Sequence, residues 1–111
     1  MVKTARDNYI GYLFSELENN KVFHNVITFE IISMNEPEEK NLTIDKKIVL
    51  FKYLVVDREN NQAALISWGK HINYKTGDVL QISNFYVKQF KEEKQIVVND
   101  GTKYVLLNKG D

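Results

Sequence analysis

The sequence predicts an all-β domain: a five-stranded barrel with one helix set against it at the N-terminus. Three observations predict this class. Apolar runs at residues 48–56, 63–68 and 79–87 are rich in the β-branched and aromatic residues that suit a pleated, half-buried surface. Turn-forming stretches separate them: the polar Asp57-Arg58-Glu59-Asn60-Asn61, short enough for a tight hairpin, and the longer 69–78, whose Thr76-Gly77-Asp78 punctuates the entry to the next strand. Before the strands the period changes, with Ile10, Leu13, Phe14 and Leu17 recurring at i, i+3, i+4 and i+7.

That last pattern places a helix over residues 4–19. Thr4 or Asp7 can cap its start and Asn19-Asn20 supply a stop. Its apolar face, Ile10, Leu13, Phe14 and Leu17, has two uses that the sequence leaves open: packing on the barrel, or docking a protein partner.

Strand one covers residues 22–34, where Ile27, Phe29 and Ile31 form the row that faces the interior. Residues 35–41 contain Pro37 and three glutamates and read as a loop whose charge would repel phosphate. Strand two, residues 46–56, is apolar on both faces apart from Lys52, so something must cover part of its exterior. In strand three Ala63, Leu65 and Ser67 share one face and Ala64, Ile66 and Trp68 the other. Trp68 reads equally well as a core or lid residue and as a platform for a ligand.

A short helical or irregular connection follows, carrying Lys70 and His71. Strand four turns Leu80 and Ile82 inward and bends after Asn84-Phe85. Beyond the bend Tyr86, Lys88 and Phe90 share a face, and Lys91 and Lys94 extend the positive edge, diluted by Glu92 and Glu93. A hairpin over residues 91–94 leads to the last barrel strand, 95–98, and residues 104–107 add a short final one.

With 111 residues the chain is one domain, its barrel spanning residues 22–107. No cysteine is present, which excludes a disulfide framework and thiolate metal sites, and His24 and His71 have no carboxylates at ligand spacing. No Gly-rich phosphate loop, nucleophile elbow or close carboxylate pair appears, so neither an enzyme, a cofactor nor a small-molecule substrate is expected. No apolar run reaches the length of a membrane span, and the first residues lack a signal-peptide core; an intracellular protein is expected, with the sequon at Asn41 unglycosylated. Formal net charge is zero, so any grip on nucleic acid must lean on base stacking more than on phosphates.

The ordered set Asp57, residues 63–68 ending in Trp68, Gly77-Asp78, then Tyr86, Phe90 and Lys91 resembles the single-strand DNA-binding OB-folds of the replication protein A type. Within that group it resembles in particular the small OB-fold subunit of the SOSS complex. The resemblance covers about the last two thirds of the chain. It implies that Trp68 faces outward into a groove and stacks with Tyr86 and Phe90 on bases, while Lys70, Lys88 and Lys91 follow the backbone. It also implies single-stranded DNA as ligand, with RNA as the alternative, protein subunits as partners, and a nuclear place in repair or telomere complexes. Where the family carries a further stacking aromatic near the end of the last strand, this chain has Val97 and Val98, and the family's tail after the barrel is missing. A small OB-fold scaffold subunit that binds other proteins rather than DNA is the alternative function. The acidic loop, the neutral charge and the extra N-terminal segment favour it.

Overall fold

Among residues 10–110, which the computed structural model describes, the chain forms nine strands and one turn of 3-10 helix at Phe14–Glu16. The strands are β1 (Lys21–Phe23), β2 (Ile27–Met34), β3 (Glu38–Asn41), β4 (Lys47–Val56), β5 (Gln62–Trp68), β6 (Val79–Ser83), β7 (Phe85–Phe90), β8 (Glu93–Val98) and β9 (Lys103–Asn108). They make one strongly curled half-barrel sheet in the order β1-β7-β8-β5-β4-β2-β6-β9, with β3 paired to β4 beside this path. Every pairing is antiparallel except that of β5 with β8.

The five expected barrel strands and the short final one become nine because two long strands are broken and β3 is added. Residues 24–26 interrupt strand one, and Asn84, at φ 61°, interrupts strand four at the expected bend. The interruptions face each other, with His24 Nδ1 2.8 Å from Asn84 Oδ1. The ladders β1·β7 and β2·β6 are therefore two halves of one broken pairing, and the change of direction between them lets the sheet curl. Asparagine supplies the left-handed backbone at three turns, Asn20, Asn60 and Asn84, as its short polar side chain allows.

The interior follows the period-2 reading. Ile27, Phe29 and Ile31 are fully buried, and Tyr53, Val55, Leu65, Leu80, Ile82, Phe85, Val87 and Ile96 meet them from the other strands.

The N-terminal helix is corrected. Residues 4–9 of the predicted span lie outside the described residues, and in residues 10–19 only Phe14–Glu16 is helical. Leu13 and Leu17 are extended on either side of that turn. Gly11, at φ 95°, sits so close to the β1–β2 break that a Cβ there would lie 2.0 Å from the Val26 carbonyl oxygen. Tyr12 N–H donates to that carbonyl at 3.0 Å, and Phe14 N–H to the Asp57 carboxylate at 2.8 Å, so tertiary bonds replace the helical ladder. The spacing of Phe14 and Leu17 was informative all the same, because a 3-10 turn also brings i and i+3 to one side. Both residues enter the chain's own core. Of the stripe that the sequence left between the barrel and a partner, Phe14 and Leu17 are thus internal, Leu13 is half-buried, and Ile10 stays 57% exposed.

The acidic loop is corrected as well. Glu38–Asn41 is strand β3, paired with Leu50 to Lys47 on β4, and Glu38 and Glu39 form ion pairs with Lys40 and Lys47, each at 2.9 Å. No helix among the described residues is long and apolar enough to cross a membrane, and no group of three or more metal-ligating side chains gathers there.

Candidate functional site

The register fixes which side chains share the outer face of the sheet. Val22, Tyr86, Val97, Ile66 and Lys52 form one cross-strand row over β1, β7, β8, β5 and β4. Lys88, Gln95, Ala64 and Leu54 form the next, Phe90 pairs with Glu93 at one end, and Trp68 pairs with Leu50 at the other. Phe85 and Val87 point into the core, which leaves Tyr86, Lys88 and Phe90 on the outside of β7 as the alternation requires.

Phe90 is 53% exposed at the tip of the β7–β8 hairpin. The two-residue loop behind it places Lys91 at φ 56° and its ammonium 5.6 Å from the centre of the Phe90 ring, within cation–π range. Lys88 is exposed beside Gln95. Tyr86 is half-buried and leans towards β1, with its hydroxyl 3.5 Å from Asn20 Oδ1.

Trp68 and Lys70 do not join this cluster. Phe90 lies level with Gln62 on β5, and Trp68 is six residues further along that strand, so roughly 20 Å of sheet separates the two rings at about 3.3 Å per residue. The six expected site residues form two groups: Tyr86, Lys88, Phe90 and Lys91 on β7 and its hairpin, and Trp68 with Lys70 at the far end of β5.

Between the groups the face is covered by the chain's own side chains. Lys52 Nζ on β4 reaches Glu93 Oε1 on β8 at 2.9 Å, crossing β5 and helping to bury Ala64 and Ile66. Burial opposes ionisation of Glu93, but the hydrogen bonds from Lys52 and Gln95 and the Lys52 charge outweigh it and hold the carboxyl below its usual range. The bridge lies over β5, whereas Ile48, Leu50 and Leu54 on the outer side of strand two stay half-buried.

Trp68, 44% exposed, stands at the wall of a cavity of about 340 Å³ that sequence reasoning missed. The cavity lies between the end of β5, the connection 69–78 and the turn from β8 to β9, and includes His71, Asn73, Tyr74 and Tyr104. Tyr74 and Tyr104 pack with ring centres 5.7 Å apart, and His71 meets the Phe51 ring edge-on at 5.3 Å. Burial, reinforced by the neighbouring Tyr74 and Tyr53, pushes the Tyr104 hydroxyl up to about 12, so it stays protonated. Lys70 Nζ lies 3.6 Å from Asp100 Oδ1 at the rim. These lining residues are dispersed over three segments with no common motif, and only the fold brings them together.

Two residues act structurally where the sequence suggested contact with a ligand or left the role open. Lys94, expected on the positive edge, turns inward and donates to the carbonyls of Phe14 and Leu17, both at 2.8 Å; burial pushes its pKa down. Asp57 is buried and its carboxylate accepts four hydrogen bonds, from the main-chain N–H groups of Phe14, Glu59 and Asn61 and from the Asn61 amide.

No protein-family model matches the sequence, and no curated protein matches it. Solved structures do. The chain is similar to the OB domain of Ta0387 from Thermoplasma acidophilum, with a TM-score of 0.70 and 16% identity over 90% of this chain and 89% of that one. It is similar to the replication factor A related protein from Methanobacterium thermoautotrophicum, at TM-score 0.70 and 16% identity over 87% and 90% of the two chains. The second OB-fold domain of replication protein A from Methanococcus maripaludis matches at TM-score 0.66 and 22% identity, over 90% of this chain and 97% of that one. At such identities the likeness is one of fold, and the half-barrel sheet described above is an OB-fold.

Proposed function

We propose that this chain is a non-catalytic OB-fold module that binds single-stranded DNA by stacking bases on exposed aromatic rings. The observation that carries the proposal is the outer row of β7 and its hairpin: Tyr86, Lys88 and Phe90 on one uncovered face, with Lys91 held over the Phe90 ring. Rings for bases alternating with an ammonium for the intervening phosphate suit a strand bound without strong net charge. The replication-related names of two structural neighbours support the same reading. The finer likeness to the SOSS subunit belongs to this proposal. Each stacked base is worth about 1–3 kcal/mol, enough for micromolar binding from a few rings.

The test is a titration with oligo-dT at two salt concentrations. Micromolar binding with a shallow salt slope is expected, and Phe90→Ala should weaken it by about 1–3 kcal/mol while leaving the melting midpoint near that of the parent, since the ring is half in solvent. Absence of binding at low salt would sink the proposal.

One observation favours a second reading, a scaffold subunit of a replication protein A-like assembly. The edge strand β9 carries Val105, Leu106 and Leu107, all substantially exposed. A chain that ignores oligo-dT but self-associates or captures a subunit through β9 would fit that role.

A further inference from the structure

The apolar pattern on both faces of residues 48–54 finds no complete cover within the chain, and it leads into an arm. From Lys47 to Val49, β4 has β3 as its strand partner and no other among the described residues. The two strands close on a turn at residues 43–46, where the Leu42 and Thr43 N–H groups donate to the Lys46 carbonyl at 2.8 and 3.2 Å. On that turn Ile44 is 99% exposed, and Leu42 beside it is exposed too. Tight turns favour Gly, Asn, Asp and Pro, so a β-branched apolar side chain at the crest does nothing for the turn itself. Further down the arm Ile48 and Leu50 stay half-buried. The arm is therefore apolar at its tip and along its base, with no part of the described chain laid over it.

A complement to that tip exists on the same chain, out of the tip's own reach. Ile44 is six residues from Leu50, which pairs with Trp68, so roughly 20 Å of ladder at about 3.3 Å per residue separates it from the cavity at the arm's base. That cavity, of about 340 Å³, takes apolar surface from Trp68, Ile72, Tyr74, Val98 and Tyr104 and has room for aliphatic side chains. The charges match as well. Beside Ile44 the tip carries Asp45 and Lys46, exposed and in no ion pair among the described residues. The rim of the cavity carries Lys70 and Asp100, an exposed pair at 3.6 Å. Tip and rim each present one acid and one base, so they can meet with every charge answered. A two-fold axis midway along the arm sends each tip to the cavity of the other copy and lets the arms lie side by side over Ile48 and Leu50, a closed isologous arrangement. We propose that the chain forms a homodimer by exchange of arms. Leu42 and Ile44 of one copy seat in the Trp68 cavity of the other, with Asp45 against Lys70 and Lys46 against Asp100. The dimer is independent of the strand-binding reading.

Sedimentation equilibrium of the full chain from micromolar to millimolar protein tests this. Trp68 fluorescence on dilution gives a second readout, since Trp68 is the only tryptophan and stands at the cavity mouth. A reversible monomer–dimer equilibrium is expected, with a change in Trp68 emission that follows it. Ile44→Asp puts a charge into the apolar contact twice per dimer and should weaken association at least about a hundredfold. Its melting midpoint, measured where the parent is monomeric, should stay at the parent's value, because the side chain is in solvent there. Lys70→Glu should weaken the dimer about three- to tenfold, and adding Asp45→Lys should restore it, a rescue that requires tip and rim to touch. Leu107→Lys on β9 should leave association unchanged. A chain that is monomeric throughout overturns the arm exchange. So does a dimer that Ile44→Asp leaves intact, a Lys70→Glu defect that Asp45→Lys does not relieve, or a dimer that Leu107→Lys abolishes, which would put the contact on the β9 edge.

Discussion

The two ends of the curled sheet are built from similar materials and finished in opposite ways. At the end formed by the β4–β5 and β7–β8 hairpins, the described part of the N-terminal segment lies across the opening and is tied down by buried groups from the sheet. Phe14 and Leu17 fill the interior, Asp57 holds the segment's start, and Lys94 takes its carbonyls. At the end formed by Trp68 and the connection 69–78, rings and polar side chains again converge, yet a cavity remains, and the Tyr74 and Tyr104 hydroxyls and the Asn73 amide make no hydrogen bond among the described residues. Satisfied polar groups around packed rings make a plug. Polar groups left to water around a space leave that end open. The difference separates stability from recognition in a chain whose two ends look equally rich in aromatic and charged residues.

The sharpest way to break this comparison is at the sealed end. Phe14→Ala removes a fully packed ring from the core and should cost about 3–5 kcal/mol of stability. Asp57→Ala strands several buried donors and should cost about 3 kcal/mol, with Asp57→Asn less damaging because one acceptor oxygen remains. Denaturant melts measure both. Losses below about 1 kcal/mol would mean that the N-terminal segment is an ornament and that the two ends are not distinct.

A smaller effect is expected at Asp78, which anchors the connection that walls the cavity. Its carboxylate accepts the Lys75 N–H at 2.9 Å and the Gly110 N–H at 2.8 Å, tying the turn before β6 to the chain beyond β9. The Lys75 N–H, opposed by burial and helped by the Gly110 N–H and the Lys75 and Lys109 charges, holds this carboxyl below its ordinary value. A lowered folded-state pKa means that the unfolded chain binds the proton more tightly. The stabilisation is therefore complete above the unfolded-state value, about 3.9, and is lost as the pH falls through the lower folded-state value. Asp78→Asn should melt below the parent at pH 7, and the gap should close on acidification. A gap that is constant from pH 7 to pH 2 would show that the charge is irrelevant.

Most of the sheet was legible because it depends on a local signal. The alternation in residues 27–31 and 63–67, the bend at Asn84 and the outward row Tyr86, Lys88, Phe90 all follow from the period of two and from turn chemistry. The N-terminal helix was misread because Ile10, Leu13, Phe14 and Leu17 satisfy the helical period, while the bonds that override it come from Asp57 and Lys94, 43 and 80 residues from Phe14. No window along the chain contains them. The cavity was hidden for the same reason: Trp68, Asn73 and Tyr104 share no spacing, only a place in the fold. Gly77-Asp78 was read as punctuation, which it is, but its second role as the anchor for Gly110 appears only once the two turns meet.

The last and smallest effect concerns the strip between the two ends. Among the described residues Lys52 is the cation in the middle of the outer face, and Glu93 holds it at 2.9 Å with both side chains partly shielded. If a strand crosses from Phe90 towards Trp68, its phosphates must compete with Glu93 for that ammonium, and the ion pair subtracts from affinity. Glu93→Gln removes the competitor and keeps a side chain that can still bond to Gln95. It should cost at most about 1 kcal/mol of stability, as an exposed or half-exposed pair does. It should tighten oligo-dT binding about two- to fivefold at low salt and steepen the salt dependence by about 0.7, the increment for one further phosphate neutralised on a single strand. Lys52→Gln should change little in the parent, where the charge is already spent on Glu93, and should abolish the gain in the Glu93→Gln background. An unchanged salt slope in Glu93→Gln would mean that no strand runs across the strip, and that the two clusters, if both bind, bind independently.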